Sequence, residues 1–270
     1  FSTSEQSPYP RDWRMNWLTA EAQFAGWAKS VDHLKRAHAE AVLVTDSLGA
    51  RILVDKLRIP FTECIVAIDN LPYPPGIWAA GKVAAYGAMK EPYCSVDSDC
   101  FLYKSLPQEW LSAPIGAQNI EDKDWFRSAY MGEIAHIEKN FKRNGLPSIF
   151  GRANWAPCVG EFVVNNMEFN ELYFNAAHKF MTNNRNAWAA IKNQGCYSII
   201  AEQWLAACAA EALNIPITYL SQTCDKEKLA NDGICHLWGE KKTPAVCAKV
   251  IQVVARDYPD TYERIVKLVK

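Results

Sequence analysis

The stretch that decides the fold is "EAVLVTDSLGARILVDKLRIPFTECIVAIDNL", residues 40–71. It opens with a short β-branched run that ends on Asp46, continues with an amphipathic helical pattern, and closes with an apolar run that ends on Asp69. Strand, helix and strand in this order are typical of the βαβ unit of a parallel sheet. Residues 76–90 then have a helical pattern, and residues 92–99, "PYCSVDSD", have a further strand pattern. These segments predict an α/β fold with a mostly parallel central sheet flanked by helices.

The flanking segments extend this prediction to the whole chain. Residues 1–14 are polar and interrupted by proline, which is typical of a strand exit followed by an ordered loop. Residues 106–270 alternate short strand patterns with longer helical ones and end in a helical C-terminal portion, with one closing helix over 245–270. We find no internal repeat and no linker, so we expect a single domain over residues 1–270.

Net charge, apolar runs and cysteine spacing limit the partners and the cellular setting that we expect for this protein. The formal net charge of −1 gives no reason to expect a nucleic acid or an anionic membrane surface as a partner. Hydrophobic residues make up 49% of the chain, but no apolar run approaches the ~20 residues that a membrane helix needs, so we expect no membrane span. The nine cysteines include no Cys-x-x-Cys pair. This pattern indicates free thiols in a reducing compartment, and we expect a cytoplasmic protein.

Asp97 and Asp99 stand one residue apart at the end of the third predicted strand. Given a backbone turn at that point, they supply two hard oxygen ligands for Mg²⁺ or Mn²⁺, which takes its remaining ligands from substrate phosphates and water. The alternative is a solvated loop or an Asx turn. An EF-hand is excluded because its fifth and sixth loop positions need an oxygen ligand and a glycine, where this chain has Phe101 and Leu102.

A second motif, "HLWGEKK" at residues 236–242, places His236, Gly239 and Lys242 at His-x-x-Gly-x-x-Lys spacing. A histidine is a suitable third metal ligand, a glycine lets the backbone approach a phosphate, and a lysine places a point charge on a diphosphate. The alternative is an ordinary helix cap followed by a solvated basic turn. The presence of both motifs in one chain favours the functional interpretation.

In these two motifs the chain resembles the GT-A-fold glycosyltransferases. "CSVDSDCFL" at 94–102 looks like their metal-binding Asp-x-Asp, and "HLWGEKK" looks like the C-terminal motif of the family-8, glycogenin-like branch. A poorly characterised bacterial group of the same fold has close counterparts of residues 43–57 and 77–99. The resemblance is clearest over residues 40–105 and again in the second motif, and it implies a GT-A-like, Rossmann-type sheet.

The resemblance also implies a metal-dependent glycosyltransferase of the hexosyltransferase type, with a nucleotide-diphosphate sugar as donor, most often a UDP-sugar. The cofactor would be Mn²⁺ or Mg²⁺. Residues 1–105 would form the nucleotide-sugar-binding half. Residues 106–270 would bind the acceptor, which would be a glycan, a peptide or a small molecule.

Individual roles follow from the same resemblance. Asp97 and Asp99 would hold the metal, with His236 as the third protein ligand. Lys242, with Gly239 before it, would contact the diphosphate. Two further residues have roles with a structural alternative: Lys82 would face the donor sugar or phosphate, or be a surface lysine of its helix, and Asp46 would bind base or ribose, or cap the next helix.

The catalytic residues are less well defined, because the chain departs from the branch pattern. Thr243 follows Lys242 where the branch has proline, and only "AEQW" at 201–204 is a candidate for its acceptor motif. Glu202 and Gln203 would line the reaction centre or form one polar turn of a buried helix. An inverting reaction needs a carboxylate base, for which Glu202 is our first candidate and Glu161 our second.

Two other functions stay open. A sugar nucleotidyltransferase usually opens with a glycine-rich loop, and residues 1–14 contain no glycine. A non-catalytic protein that binds nucleotide sugars or carbohydrates on the same fold has no need of an intact Asp97, Asp99 and His236. Metal-dependent turnover of the donor separates an enzyme from a binding protein.

Overall fold

The computed structural model describes residues 16–73, 76–183, 187–188 and 195–270. Residues 1–14, for which the sequence predicts a strand exit and a loop, lie outside this part. The α-helices are α1 (Ala20–Ala37), α2 (Ser47–Gly49), α3 (Ala80–Ala88), α4 (Gln108–Leu111), α5 (Lys123–Phe126), α6 (Gly132–Asn140), α7 (Met167–Thr182), α8 (Gly195–Ile199), α9 (Leu205–Leu213), α10 (Lys226–Asn231), α11 (Pro244–Asp257) and α12 (Pro259–Val269). The π-helical segments Ala50–Lys56, Arg127–Met131 and Ile200–Trp204 continue α2, α5 and α8, and Arg143–Gly145 and Glu240–Lys242 are 3₁₀-helical. The strands are β1 (Val42–Thr45), β2 (Glu63–Val66), β3 (Tyr93–Val96), β4 (Cys100–Leu102), β5 (Ile115–Ile120), β6 (Pro157–Val164), β7 (Thr218–Ser221) and β8 (Ile234–His236).

The chain divides into two compact units, each with its own buried apolar core. The first unit comprises Phe1–Asp69, Asp97–Leu106 and Lys226–Lys270. The second unit comprises Asn70–Val96 and Pro107–Asp225. Both units are therefore built from segments that are distant in the sequence.

The quoted stretch forms strand, helix and strand in the first unit, as its pattern predicts. β1 and β2 are parallel, with Val42 opposite Glu63 and Thr45 opposite Val66. The connecting helix begins at Ser47 and continues as a π-helix to Lys56. This is the βαβ unit expected from the spacing of the two apolar runs.

The core of the first unit is built around α1. The hydroxyl of Thr19 accepts a hydrogen bond from the Ala22 N–H at 3.1 Å and so caps the helix. Phe24, Ala28 and Val31, at three- and four-residue spacing, are buried. This face packs against β4, α11 and α12 of the same unit.

The end of the chain forms two helices, so the prediction of one closing helix over 245–270 is wrong. α11 ends at Asp257 and α12 begins at Pro259. Tyr258 between them has φ −137° and ψ 58°, because the ring of a following proline excludes the α-helical conformation sterically.

The second unit contains a four-stranded sheet in the order β3-β6-β5-β7. β6 is antiparallel to both β3 and β5, while β7 is parallel to β5. All residues of β6 are buried, and Phe162 on this strand contacts the rings of Phe169 and Tyr173 on α7. A strand buried on both faces is mostly apolar, and residues 157–164 are apolar except for Gly160 and the buried Glu161.

The protein is thus α/β, as predicted, but its sheets are mixed and only partly parallel. Among the described strands, the pairs β1–β2 and β5–β7 are parallel, and the other three pairs are antiparallel. The expected mostly parallel central sheet is not confirmed. None of the described helices has the length and apolar character needed to cross a membrane.

Candidate metal centre

The two motif aspartates lie in a tight turn that leads into β4. The Cys100 N–H donates to the Asp97 carbonyl at 2.9 Å, which closes a four-residue turn. The Ser30 hydroxyl of α1 donates to the Cys100 carbonyl at 2.7 Å and holds the far end of this turn. The backbone turn that a metal clamp requires is therefore present.

His236 reaches this turn through strand pairing in the first unit. β4 and β8 are antiparallel, with Cys100 opposite His236 and Leu102 opposite Ile234. Since Cys100 directly follows Asp99, this register places the last residue of β8 beside the motif. The Leu237 N–H donates to the Asp99 carbonyl at 3.1 Å and extends the same contact.

The three side chains converge on one position. His236 Nε2 lies 3.7 Å from Asp97 Oδ2 and 3.6 Å from Asp99 Oδ1. One ligand atom from each residue lies within 4.8 Å of the other two. Within the described ranges, this is the one group of at least three His, Cys, Asp or Glu side chains arranged to hold a metal ion.

The site is buried on one side and open on the other. The side chains of Asp99 and His236 are 5% and 4% exposed, whereas that of Asp97 is 30% exposed. A bound ion would therefore keep access to solvent or to a ligand on the Asp97 side. An ion with such an open position could bind a further ligand, whereas a structural site is usually enclosed by protein ligands.

A lysine also contacts this cluster. Lys241 Nζ lies 2.5 Å from Asp99 Oδ2. Burial alone would raise the pKa of Asp99, but the neighbouring His236 and Lys241 outweigh burial and lower this pKa well below its usual range. Asp99 is therefore an ionised carboxylate at neutral pH, which is the form that binds a metal.

The donor set fits a divalent metal. Two carboxylates and one imidazole supply two oxygens and one nitrogen, and further positions are left for water or phosphate oxygens. Mg²⁺ strongly prefers oxygen ligands, so the histidine nitrogen makes Mn²⁺ the better match of the two ions expected from the sequence.

The remaining residues of the second motif lie on the 3₁₀ turn after β8. Gly239 is exposed, with φ −88° and ψ −19°, and a Cβ added there would meet no atom within 4 Å. Neither the backbone conformation nor the protein's own packing requires glycine at this position. Lys242 is exposed, and its predicted contact with a diphosphate stays a prediction.

Asp46 has the structural role that we named as its alternative. Its Oδ1 accepts a hydrogen bond from the Gly49 N–H at 2.6 Å, which caps α2. Burial raises its pKa. Asp69, which follows β2, accepts hydrogen bonds from the Ser47 N–H and hydroxyl at 2.8 and 2.5 Å. Both aspartates thus fix the start of the helix between the two strands.

Lys82 and Glu202 form a buried ion pair in the second unit. Lys82 Nζ lies 2.8 Å from Glu202 Oε1 and donates to the Val159 carbonyl at 2.8 Å. The Tyr173 hydroxyl donates to the backbone carbonyl of Glu202 at 2.7 Å. Lys82 is therefore more than a surface lysine of α3, and its predicted contact with the donor stays a prediction.

Gln203 and Glu161 are also buried in the second unit. Gln203 Nε2 donates to the Tyr130 hydroxyl at 2.5 Å, and Glu161 stands on β6 opposite Val96. Glu202 and Gln203 belong to the π-helical segment Ile200–Trp204. Such segments are rare and frequently occur at functional sites, so their position is consistent with either of the roles named from the sequence.

Lys241 was missed by the sequence reasoning, which selected Lys242 from the motif spacing. The two lysines lie on a 3₁₀ turn, where successive side chains point about 120° apart, so only one of them faces Asp99. Spacing alone does not reveal which one. The sequence indicates only that one lysine of the adjacent pair "KK" could contact Asp99, since both lie a few residues after His236.

The model of a family of unknown function, DUF6734, matches residues 3–268, so the chain belongs to this family. No curated protein and no solved structure matches the chain.

Proposed function

We propose that this member of the DUF6734 family is a metal-dependent glycosyltransferase with a GT-A-like fold, which moves a sugar from a nucleotide-diphosphate sugar to an acceptor hydroxyl. The donor that we favour is a UDP-sugar. The observation that carries the proposal is the convergence of Asp97, Asp99 and His236 within 4.8 Å at a turn that follows a strand. A parallel strand pair whose carboxyl ends carry Asp46 and Asp69 supports it, because nucleotides bind at such strand ends.

Glycosyl transfer of this kind would depend mainly on stabilising the charge of the leaving diphosphate and less on covalent catalysis by the protein. Asp97, Asp99 and His236 would hold Mn²⁺ or Mg²⁺, and the bound ion would offset the charge that develops on the leaving diphosphate. Lys242 would add a positive charge to the same group, and the backbone at Gly239 would leave room for it.

If the reaction inverts the anomeric configuration, a carboxylate would deprotonate the acceptor. Glu202 is the first candidate and Glu161 the second, with Gln203 as a polar neighbour of Glu202. The acceptor class would be a glycan, a peptide or a small molecule. We further propose a cytoplasmic setting, which the nine free cysteines support because free thiols persist in a reducing compartment.

Thermal stabilisation tests the donor site directly. UDP, GDP and their sugars are added with and without Mn²⁺ to the wild-type protein, to Asp99→Ala and to Asp55→Ala, an exposed aspartate of the same unit. A ligand that binds the native state at about 100 times its Kd stabilises it by roughly 2.7 kcal/mol. We expect a Mn²⁺-dependent shift with one nucleotide that is retained in Asp55→Ala and lost in Asp99→Ala. No shift with any nucleotide would refute the donor site.

Product analysis separates the enzyme classes. A glycosyltransferase releases UDP from a UDP-sugar in the presence of Mn²⁺, and a nucleotidyltransferase releases pyrophosphate from UTP and a sugar phosphate. A binding protein gives the thermal shift without either product. We expect release of UDP, faster with an acceptor than with water alone.

A further inference from the structure

The carboxylate of Asp99 is shared between a histidine and a lysine. Its Oδ1 faces His236 Nε2 at 3.6 Å, and its Oδ2 faces Lys241 Nζ at 2.5 Å. The side chains of Asp99 and Lys241 are 5% and 14% exposed, so water screens this pair only weakly. The lysine thus occupies the oxygen of Asp99 that the histidine leaves open.

The backbone of Lys241 is fixed, whereas its side chain is long. The carbonyl of Lys241 accepts hydrogen bonds from the Leu18 N–H at 3.2 Å and from the Cys247 thiol at 3.1 Å. Its own N–H donates to the Leu237 carbonyl at 3.4 Å. A movement of the ammonium group therefore requires only rotation of the four-carbon side chain, which proceeds without rearranging β8 or the turn.

A metal ion and this ammonium group compete for the same carboxylate. A divalent cation bound to Asp99 repels a positive charge placed 2.5 Å from the carboxylate, and the repulsion is strong where water is largely excluded. The displaced ammonium then needs an anion close by, because an isolated charge in a partly buried position is unfavourable. A diphosphate bound to the same metal supplies that anion.

We propose that Lys241 is the internal counter-cation of the metal site: it holds Asp99 until a divalent metal displaces it, and it then binds the diphosphate that arrives with the metal. The lysine thereby makes metal binding and diphosphate binding mutually favourable. The identity of the anion rests on the proposed function, whereas the competition with the metal does not.

Calorimetric titration of the full chain with MnCl₂, without nucleotide, tests the competition. Lys241→Gln keeps a hydrogen-bond donor near Asp99 and removes the charge, and Lys241→Arg keeps the charge. Lys249→Gln removes the same charge from an exposed position on α11 of the same unit. We expect Lys241→Gln to bind Mn²⁺ about tenfold more tightly than wild type, the size of one charge-assisted hydrogen bond. Lys241→Arg and Lys249→Gln should stay within about threefold of wild type.

The inference is overturned if Lys241→Gln binds Mn²⁺ no more tightly than Lys249→Gln. It is also overturned if Lys241→Arg gains affinity as much as Lys241→Gln, because the charge would then be irrelevant. Circular dichroism of each variant confirms that the affinities refer to folded protein. If the glutamine variant is unfolded, Lys241→Met removes the charge in its place and should show the same gain in Mn²⁺ affinity; an unchanged affinity there would overturn the inference.

A second titration with UDP present separates this inference from the proposed function. In the wild type UDP should strengthen Mn²⁺ binding, and in Lys241→Gln this gain should be smaller by about tenfold. If UDP has no effect on any variant while Lys241→Gln still binds Mn²⁺ more tightly, the glycosyltransferase proposal fails and the counter-cation stands. If UDP acts equally on wild type and Lys241→Gln, the second half of the inference fails and the donor site stands.

Discussion

We expect removal of one partner of the buried ion pair between Lys82 and Glu202 to destabilise the second unit. The two charged atoms are 2.8 Å apart, and the side chains are 20% and 3% exposed. Lys82→Met retains an unbranched apolar side chain but removes the cation from beside a buried carboxylate. Loss of one partner of a buried pair lowers stability by about 3–5 kcal/mol. Because Lys82 is one-fifth exposed, we expect a loss of about 3 kcal/mol, at the lower end of this range.

Equilibrium unfolding in urea measures this loss as a change in the free energy of unfolding. Lys139→Met, an exposed lysine at the end of α6, is the matched control and should change stability by less than about 0.5 kcal/mol. The double variant Lys82→Met/Glu202→Met removes both charges and should recover most of the loss. If Lys82→Met is as stable as Lys139→Met, the ion pair does not hold this unit together and the reasoning fails.

Three further predictions follow from single positions. Gly239→Ala should leave stability nearly unchanged, because no atom lies within 4 Å of an added Cβ, but should weaken UDP binding by about tenfold in a calorimetric titration. Gly132→Ala, at another exposed glycine with no atom within 4 Å of an added Cβ, should leave UDP binding unchanged, and equal binding by both variants would refute a backbone approach to the diphosphate. Gly26→Ala should destabilise the protein by about 1–3 kcal/mol in urea, because the new Cβ would lie 2.5 Å from the buried Trp17 ring; an unchanged midpoint would contradict this packing. Burial lowers the pKa of Lys29 to about 8 from an unfolded value of 10.5. Between these two pH values the folded state binds fewer protons than the unfolded state, so the stability of the wild type should rise with pH relative to that of Lys29→Met. A stability difference that does not change with pH would exclude the shift.

The βαβ unit of residues 40–71 was predictable because its signal is local. Each strand is a short apolar run, the helix between them has a continuous amphipathic pattern, and an aspartate ends each strand. The pairing of β1 with β2 then follows from their order, since a right-handed crossover of this length joins neighbouring parallel strands. Local patterns also located α3 and β3 along the chain, but β3 pairs antiparallel with β6 in the second unit.

The sheet of the second unit was not predictable in this way. β6 lies between β3 and β5 and runs antiparallel to both, although about sixty residues separate it from β3. Nothing in the periodicity of a strand says which distant strand it pairs with. β4 and β8 have three residues each, too few for alternation to distinguish a strand from a loop.

The candidate site was predictable in its residue types and only in part in its contacts. Asp97, Asp99 and His236 were selected from two motifs, and the register of β4 with β8 brings them together. Lys241 escaped notice because its contact depends on the direction of one 3₁₀ turn. The roles of Glu202 and Glu161 were inferred from chemistry alone and stay predictions.

Pulsed electron paramagnetic resonance of bound Mn²⁺ tests the central claim most directly, because it identifies the atoms bound to the ion. We expect a ¹⁴N coupling from one imidazole that is lost in His236→Ala, and a ³¹P coupling that appears when UDP is added. Both couplings together would show that the cluster of Asp97, Asp99 and His236 holds a metal that binds a diphosphate. A spectrum of hydrated Mn²⁺ that shows neither coupling, with protein and UDP both in excess over Mn²⁺, would contradict the account.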